Sequence, residues 1–525
     1  MKKNNLLKVL TISFLIFVVL SWIIPAGMYA NGTFSSSETA PIGLLDLASM
    51  PISTFTNFCG YGILILIIGG FYGVLEATGV FKSMVSKLSH SFDKKKKTFM
   101  VMTIIVFALL SSLTGSSYVL LILVPLFAAV LLELGYDKIS SFTATIGSIL
   151  VGSMASTYGF NVNGYINYYM GINDMNNQIV TKIILLVLLT LLLIFFVLRH
   201  TKKVEAKAKT VEKKEPVKVV ETKTTKPEKK KTKGATKTSS TKKKTTAKKT
   251  TTRKTNSKRK TANFAKADDV RVIPNKKEKS VWPFAIVFTL MIIFLLVACY
   301  NWRYSFNVSL FEEMYESITT FTIQDYPIFN NLIGTFNPLG YWAVNEVCMV
   351  LLIITFLIGW VYSVKLNDIV DAFGQGAKKA LKPAFYVVMA NLFMTVLLSN
   401  QDTGSIYFTI SNYILEMTED FNVFTAGIVS FIGGFFFNDM PYLISSLSSA
   451  FTTKITDSTL YPLIGLVMQS FHGLAMLLLP SSAILLGGLA YFDVSYKEWF
   501  KYIWKYLVQI LVVALIVCVI VVLFI

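Results

Sequence analysis

The stretch LLSSLTGSSYVLLILVP, Leu109 to Pro125, sits inside a run from Phe99 to Leu132 that carries no charge. A plain membrane helix has no need of a cluster of Ser, Thr and Gly at its centre. Counted outward from that cluster, the two apolar arms have about 14 and 17 residues, or roughly 21 and 26 Å as helices, short of the ~30 Å hydrocarbon core. The stretch is therefore read as a re-entrant hairpin spanning 98–134, with its tip near mid-membrane. Backbone groups at such a tip need partners from protein, water or a ligand. The hydroxyls of Ser111, Ser112, Thr114, Ser116 and Ser117 suit that role, and Gly115 permits the turn.

The rest of the chain supports the membrane setting. Of 525 residues, 54% are hydrophobic and only 15% charged. Val9–Met28, Ile139–Gly159, Ile183–Leu198, Val281–Tyr300 and Leu507–Ile525 are all free of charge. The pattern specifies an all-α polytopic membrane protein of about nine full crossings plus hairpins. Lys2, Lys3 and Lys8 precede the first apolar run as in a signal peptide, but that run is long and no small-x-small cleavage site follows, so a retained first helix is expected. The four cysteines (Cys59, Cys299, Cys348, Cys518) show no CxxC or zinc spacing and are read as small core residues.

The formal net charge is +20, yet 29 of the 50 Lys and Arg lie between His200 and Ser280, against eight acidic residues. The body of the protein is thus nearly neutral. The Lys/Thr-rich insert, residues 200–280, has too few apolar residues to fold alone and is expected to be a disordered cytoplasmic linker near anionic lipid headgroups. A nucleic-acid partner is not expected.

Positive residues accumulate on the cytoplasmic side, which fixes the topology. The N-terminus starts inside, a helix at about 6–24 goes out, and one at about 58–78 returns to the basic segment KSMVSKLSHSFDKKKK. The hairpin opens inward. A segment at 139–172, interrupted by STYGFN (156–161), goes out, and 179–198 comes back to the insert. In the second half, 281–300 goes out, 341–363 returns to the inner loop KLNDIVDAFGQGAKKALK, and 383–415 goes out again. A second hairpin, 423–451, opens outward with its tip in NDMPYLISS. A segment at 459–492, interrupted by LLPSSA, comes in, and the last helix leaves the C-terminus outside. One repeat (1–199) therefore carries an inward-opening hairpin and a discontinuous helix, and the other (281–525) carries their inverted counterparts. Paired interruptions of this kind mark a mid-membrane transport site. The recurrence of TGSSY (114–118) as TGSIY (403–407) is a coincidence of composition, because the charges place Thr403 before the second hairpin.

Several strings in order, LSWIIPAGMY, LILIIGGFYGVLEATG, LVPLFAAVLLELGYDKISSFTATIGSILVGSMASTYGFNVN, DAFGQGAKKAL and QSFHGLAMLLLPSSAILLGGLAYFDVSYKEWFKY, resemble the YfcC-like branch of the anaerobic dicarboxylate carrier family, within the ion-transporter superfamily. The resemblance covers nearly the whole chain outside the insert. It implies a secondary transporter of a bacterial cytoplasmic membrane, a homodimer with elevator-like alternating access. The implied substrate is a dicarboxylate or a basic amino acid, with sodium or proton coupling and no other cofactor. The chain departs from the family at the first tip (TGSS in place of acidic residues), at the second tip, and at Phe471-His472-Gly473, where a Gly-Asp-Gly-like step is usual.

The candidate binding residues are the first-tip set above, Ser156, Thr157, Asn161 and Asn163 at the first break, Asn438, Asp439, Ser445 and Ser446 at the second tip, and Ser481 and Ser482 at the second break. The alternative for any one hydroxyl is helix packing. Asn400, Asp402 and His472 join them because ionisable groups inside a membrane usually serve pathways or ion sites. Glu76, Glu133 and Glu346 are placed at helix ends. No Lys or Arg falls within this set, which suits an amino group as well as a carboxylate. An enzyme is disfavoured by the lack of metal-binding or nucleotide-loop motifs. A channel remains the other class, separable from a carrier by its conductance.

Overall fold

The computed structural model describes residues 5–30, 33–174, 176–214, 279–324, 326–334, 336–399 and 404–524. Asn400, Asp402 and the insert between 215 and 278 lie outside these residues. Helix α1 (Leu6–Ser21) leads into an antiparallel pair, β1 (Gly27–Ala30) and β2 (Thr33–Ser36), with Gly27 opposite Ser36. Helix α2 runs from Leu44 to Thr78, beginning well before the expected position 58. Asp46 accounts for the early start: its carboxylate accepts the Gly43 N–H at 3.0 Å, capping the first turn. Pro51 falls in the second turn and does not end the helix.

The basic segment after α2 forms the amphipathic helix α3 (Val80–Phe92). Helix α4 (Lys96–Thr114) then ends at Gly115, whose φ of +66° turns the chain back. The return arm consists of α5 (Ser117–Leu120) and α6 (Val124–Glu133). Phe127 on α6 stacks on Phe99 of α4 and meets Phe107 edge to face, so the arms run antiparallel as a hairpin. The next segment is interrupted. Helix α7 (Lys138–Phe142) passes through a π-type turn into α8 (Ser148–Met154). Residues 155–159 are non-helical, and a π-type turn over Phe160–Gly164 then enters α9 (Tyr165–Met170). Helix α10 (Ile179–Lys214) continues well past the expected end at 198, into the start of the insert.

Helix α11 (Trp282–Ala298) opens the second half. The polar segment after it holds α12 (Trp302–Phe306), α13 (Leu310–Thr320), a two-residue strand pair and α14 (Ile328–Ile333). Helix α15 (Val344–Val361) follows, capped by Glu346 on the Ala343 N–H. The presumed inner loop at 365–382 is also helical, being the first half of α16 (Leu366–Met389). Two further helices, α17 (Leu392–Ser399) and α18 (Ile406–Leu415), complete that segment. The second hairpin is α19 (Val423–Phe436) and α20 (Met440–Lys454). The second discontinuous helix is α21 (Tyr461–Met476) and α22 (Ala483–Phe492), and α23 (Tyr496–Val522) ends the chain. Among the described residues, six continuous helical segments are long and apolar enough to cross a membrane, with shorter apolar helices beside them. The protein is a multi-pass, all-α membrane protein.

Helices α2 and α16 touch backbone to backbone where Gly69 and Gly73 meet Ala372 and Gly376. A Cβ on Gly73 would lie 2.4 Å from the Ala372 carbonyl oxygen, and one on Gly376 2.2 Å from that of Gly69. This is the small-residue packing by which membrane helices approach closely. At one end of the crossing Thr54 and Thr395 share a 2.7 Å hydrogen bond. At the other, Glu76 pairs with Lys379 at 3.1 Å. Glu76, expected at a helix end facing the interface, is instead buried.

Candidate functional site

Both hairpin tips, the second helix break and residues on either side of the first converge on a cavity of about 570 Å³. Gly115, Ser116 and Ser117 reach it from the first tip, and Asn161 and Val162 from beyond the first break. Asn438, Asp439 and Ser445 reach it from the second tip and α20, and His472 and Ser482 from the second discontinuous helix. The geometry depends on glycine. A Cβ on Gly159 would stand 2.7 Å from the Gly115 nitrogen, so the first tip rests backbone against backbone on the first break. A Cβ on Gly473 would stand 2.5 Å from the Met154 Cα, which brings the two discontinuous helices together beside their breaks.

The remaining candidates sit behind the wall. The Ser111 hydroxyl donates to Ile149 O at 2.7 Å, tying the hairpin arm to α8. Ser112 is fully buried and donates to Ala155 O at 2.7 Å. Its own carbonyl accepts the Thr157 N–H at 3.0 Å, the Gly159 N–H at 3.2 Å and the Ser156 hydroxyl at 3.2 Å. Ser112, Ser156 and Thr157 thus satisfy the backbone that the break leaves open. Thr114 bonds back to Leu110 O and lines a separate apolar groove with Tyr158 and Trp302. Ser481 donates to Gly434 O, and Ser446 lies on α20 outside the lining. In contrast, the Ser117 hydroxyl has no hydrogen-bond partner among the described residues.

At the second tip, Asp439 is the N-cap of α20, its carboxylate accepting the Tyr442 N–H at 3.4 Å. Asn438 donates to the side-chain oxygen of Asn391, in the turn between α16 and α17. Asn391 is anchored in turn on Val387 O at 3.0 Å. The His472 imidazole lies 3.0 Å from Phe437 O, and because a carbonyl only accepts, Nε2 carries the proton. One wall is aromatic: Tyr61 and Tyr118 stack at 4.6 Å, with Tyr165 and Tyr169 nearby. These tyrosines, Asn391 and Gln469 were not singled out in the sequence. Gln469, on α21, donates to Met154 O at 3.2 Å and Ser156 O at 2.9 Å, joining the second discontinuous helix to the first break. An Asn or Gln inside an apolar run was the signal available for two of them.

One cation also lies close behind the site. Lys182, in the first turn of α10, is buried at 3% exposure, and its ammonium donates to the Asn163 side-chain oxygen at 2.6 Å and to Asn177 O at 3.0 Å. The lining residues themselves include no Lys or Arg; Lys182 stands behind them, on Asn163. No group of His, Cys, Asp and Glu suited to a metal ion occurs among the described residues.

A multi-pass bundle with two hairpin tips and two helix breaks around one chamber has the architecture of a membrane carrier. Comparison with known families agrees: the profile of the DcuC family, C4-dicarboxylate anaerobic carrier, matches residues 4–241 and 239–523. The chain belongs to that family. No curated protein matches it.

Proposed function

We propose that the protein is a secondary carrier that moves a C4-dicarboxylate through the central cavity by alternating access. The observation that carries this reading is the convergence of both tips, the second break and the flanks of the first on one chamber. The N–H groups that begin α22 and the helical turns after Gly159 favour anionic groups, whereas the start of α20 is already capped by Asp439. Ser116, Ser117, Asn161, Asn438, Ser445 and Ser482 supply neutral donors. The lining residues Cys299, Trp342 and Val344 lie at the ends of α11 and α15 that the charge distribution puts outside, which supports an outward-facing conformation.

In this reading the N-terminus is cytoplasmic, the C-terminus is outside, and the carrier works as a homodimer in a bacterial cytoplasmic membrane. The basic insert rests near anionic lipid headgroups and is dispensable for transport. Asp439 and His472 are the groups that would take a coupling sodium ion or proton. A second reading, a basic amino acid exchanger, is favoured by one observation: Asp439 is the only carboxylate among the lining residues, and no lysine or arginine stands opposite it.

The deciding experiment is uptake of labelled succinate and labelled arginine into proteoliposomes, with and without an inward sodium gradient. Succinate uptake supports the carrier of dicarboxylates. Arginine uptake that requires internal ornithine and disappears in Asp439→Asn supports the exchanger. Current far above carrier turnover would sink both readings in favour of a channel.

A further inference from the structure

The chamber lining of this family member holds a carboxylate and no lysine or arginine, an odd surface for a dianion. The positive charge sits one residue deep. From α10, Lys182 donates to Asn163. Asn163 is fully buried in the turn that follows the first break, directly after the lining residues Asn161 and Val162, and its amide donates in turn to Thr157 O. Thr157 is bonded to Ser112 at the first tip. A continuous hydrogen-bonded chain therefore links the ammonium to the break and to the hairpin tip.

The Lys182 ammonium makes no ion pair among the described residues. Asp174, the acidic residue nearest to it along the chain, lies exposed in the loop before α10, where water screens it. An anion entering the adjacent cavity favours the protonated form of so buried an amine, and with only neutral oxygens bonded to it among the described residues that ammonium directs most of its field at the anion.

We infer that Lys182 is the counter-charge for the anionic substrate, a positioning residue that acts through Asn163 and makes the chamber select dianions over monoanions. This rests on the dicarboxylate reading proposed above. With its side chain fixed by Asn163 and Asn177, it biases the chamber without touching the substrate.

The test is uptake of succinate and of its monoanionic methyl ester by full-length protein in proteoliposomes, for wild type, Lys182→Gln and Lys182→Arg. Gln retains an N–H donor toward Asn163 and removes the charge, whereas Arg retains the charge. Lys182→Gln is expected to raise the succinate KM by on the order of tenfold, with maximal rate within about twofold and methyl succinate nearly unaffected. Lys182→Arg is expected to recover most of the discrimination. If Lys182→Gln keeps the wild-type succinate KM, or lowers maximal rate for both substrates alike, Lys182 only braces the break and the inference is wrong. If wild type takes up no succinate at all, the dicarboxylate reading and this role fall together. A variant that does not insert is replaced by Asn163→Asp, which offers the ammonium a local anion and is expected to weaken succinate uptake in the same selective way.

Discussion

Ser112 and Ser117 lie five residues apart in one serine-rich tip, and substituting each by alanine should have opposite consequences. The Ser112 hydroxyl is fully buried and provides the hydrogen bond to Ala155 O at 2.7 Å. In Ser112→Ala the Thr157 N–H keeps the Ser112 carbonyl at 3.0 Å, so the loss centres on one buried carbonyl at the break. An orphaned buried acceptor costs about 1–3 kcal/mol. Ser117 is half-buried on the cavity wall, and its removal should change stability by no more than about 0.5 kcal/mol. The assay is thermal unfolding in detergent at one fixed scan rate, since membrane proteins of this size unfold irreversibly, paired with succinate uptake. Ser112→Ala should lower Tm by a few degrees and leave KM near the wild-type value, while Ser117→Ala should keep Tm and raise KM. A raised KM with intact Tm in Ser112→Ala would refute the division of the tip into a structural half and a binding half.

Gly73→Ala places a methyl 2.4 Å from the Ala372 carbonyl, so α2 and α16 must separate; a loss of about 1–3 kcal/mol or more is expected, read as a lowered Tm. Lys379→Met removes an ion-pair partner of the buried Glu76 carboxylate, and a loss of up to about 3–5 kcal/mol is expected. Adding Glu76→Gln should restore a good part of it, and a double-mutant cycle that gives no coupling would refute the pairing. Burial works to raise the Asp493 carboxyl, but hydrogen bonds and charge from Lys382 and Lys138 outweigh it and hold its pKa below the usual 3.8. A depressed carboxylate stabilises the fold above its unfolded pKa, and that contribution is lost as pH falls through the lower folded value. Asp493→Asn should therefore reduce Tm slightly at neutral pH, as exposed pairs do, and should converge with wild type on acidification below about pH 4.

The placement of hairpins and breaks was legible because a bilayer gives each segment a required length, and an interruption by Ser, Thr, Gly or Pro stands out against it. Thr114-Gly115 and Asn438-Asp439 mark ends of helices in the structure, and Pro480-Ser481 lie in the gap between α21 and α22. Charge counting misread the inner segment at 365–382 as a loop and gave 82–97 no structure, since a run of lysines says which side a segment occupies and nothing about whether it is helical. Periodicity of the remaining residues carried that information: Phe373, for example, packs over Gly70. The harder question was which hydroxyls line the chamber. Ser112 and Ser116 are four apart and chemically identical, yet one clamps Ala155 and the other borders the cavity. Their difference depends on where Gly115 turns the chain relative to a segment forty residues later, which no local pattern encodes. Lys182 is the same problem with a charge. In the sequence it flanks an apolar run and looks like an interfacial anchor. Only the fold, by bringing Asn163 to within 2.6 Å of its ammonium, turns it into a buried cation beside the transport chamber. A charge at a helix end is therefore assigned to water or to a site by its tertiary neighbours, and the role proposed for Lys182 stands on that assignment.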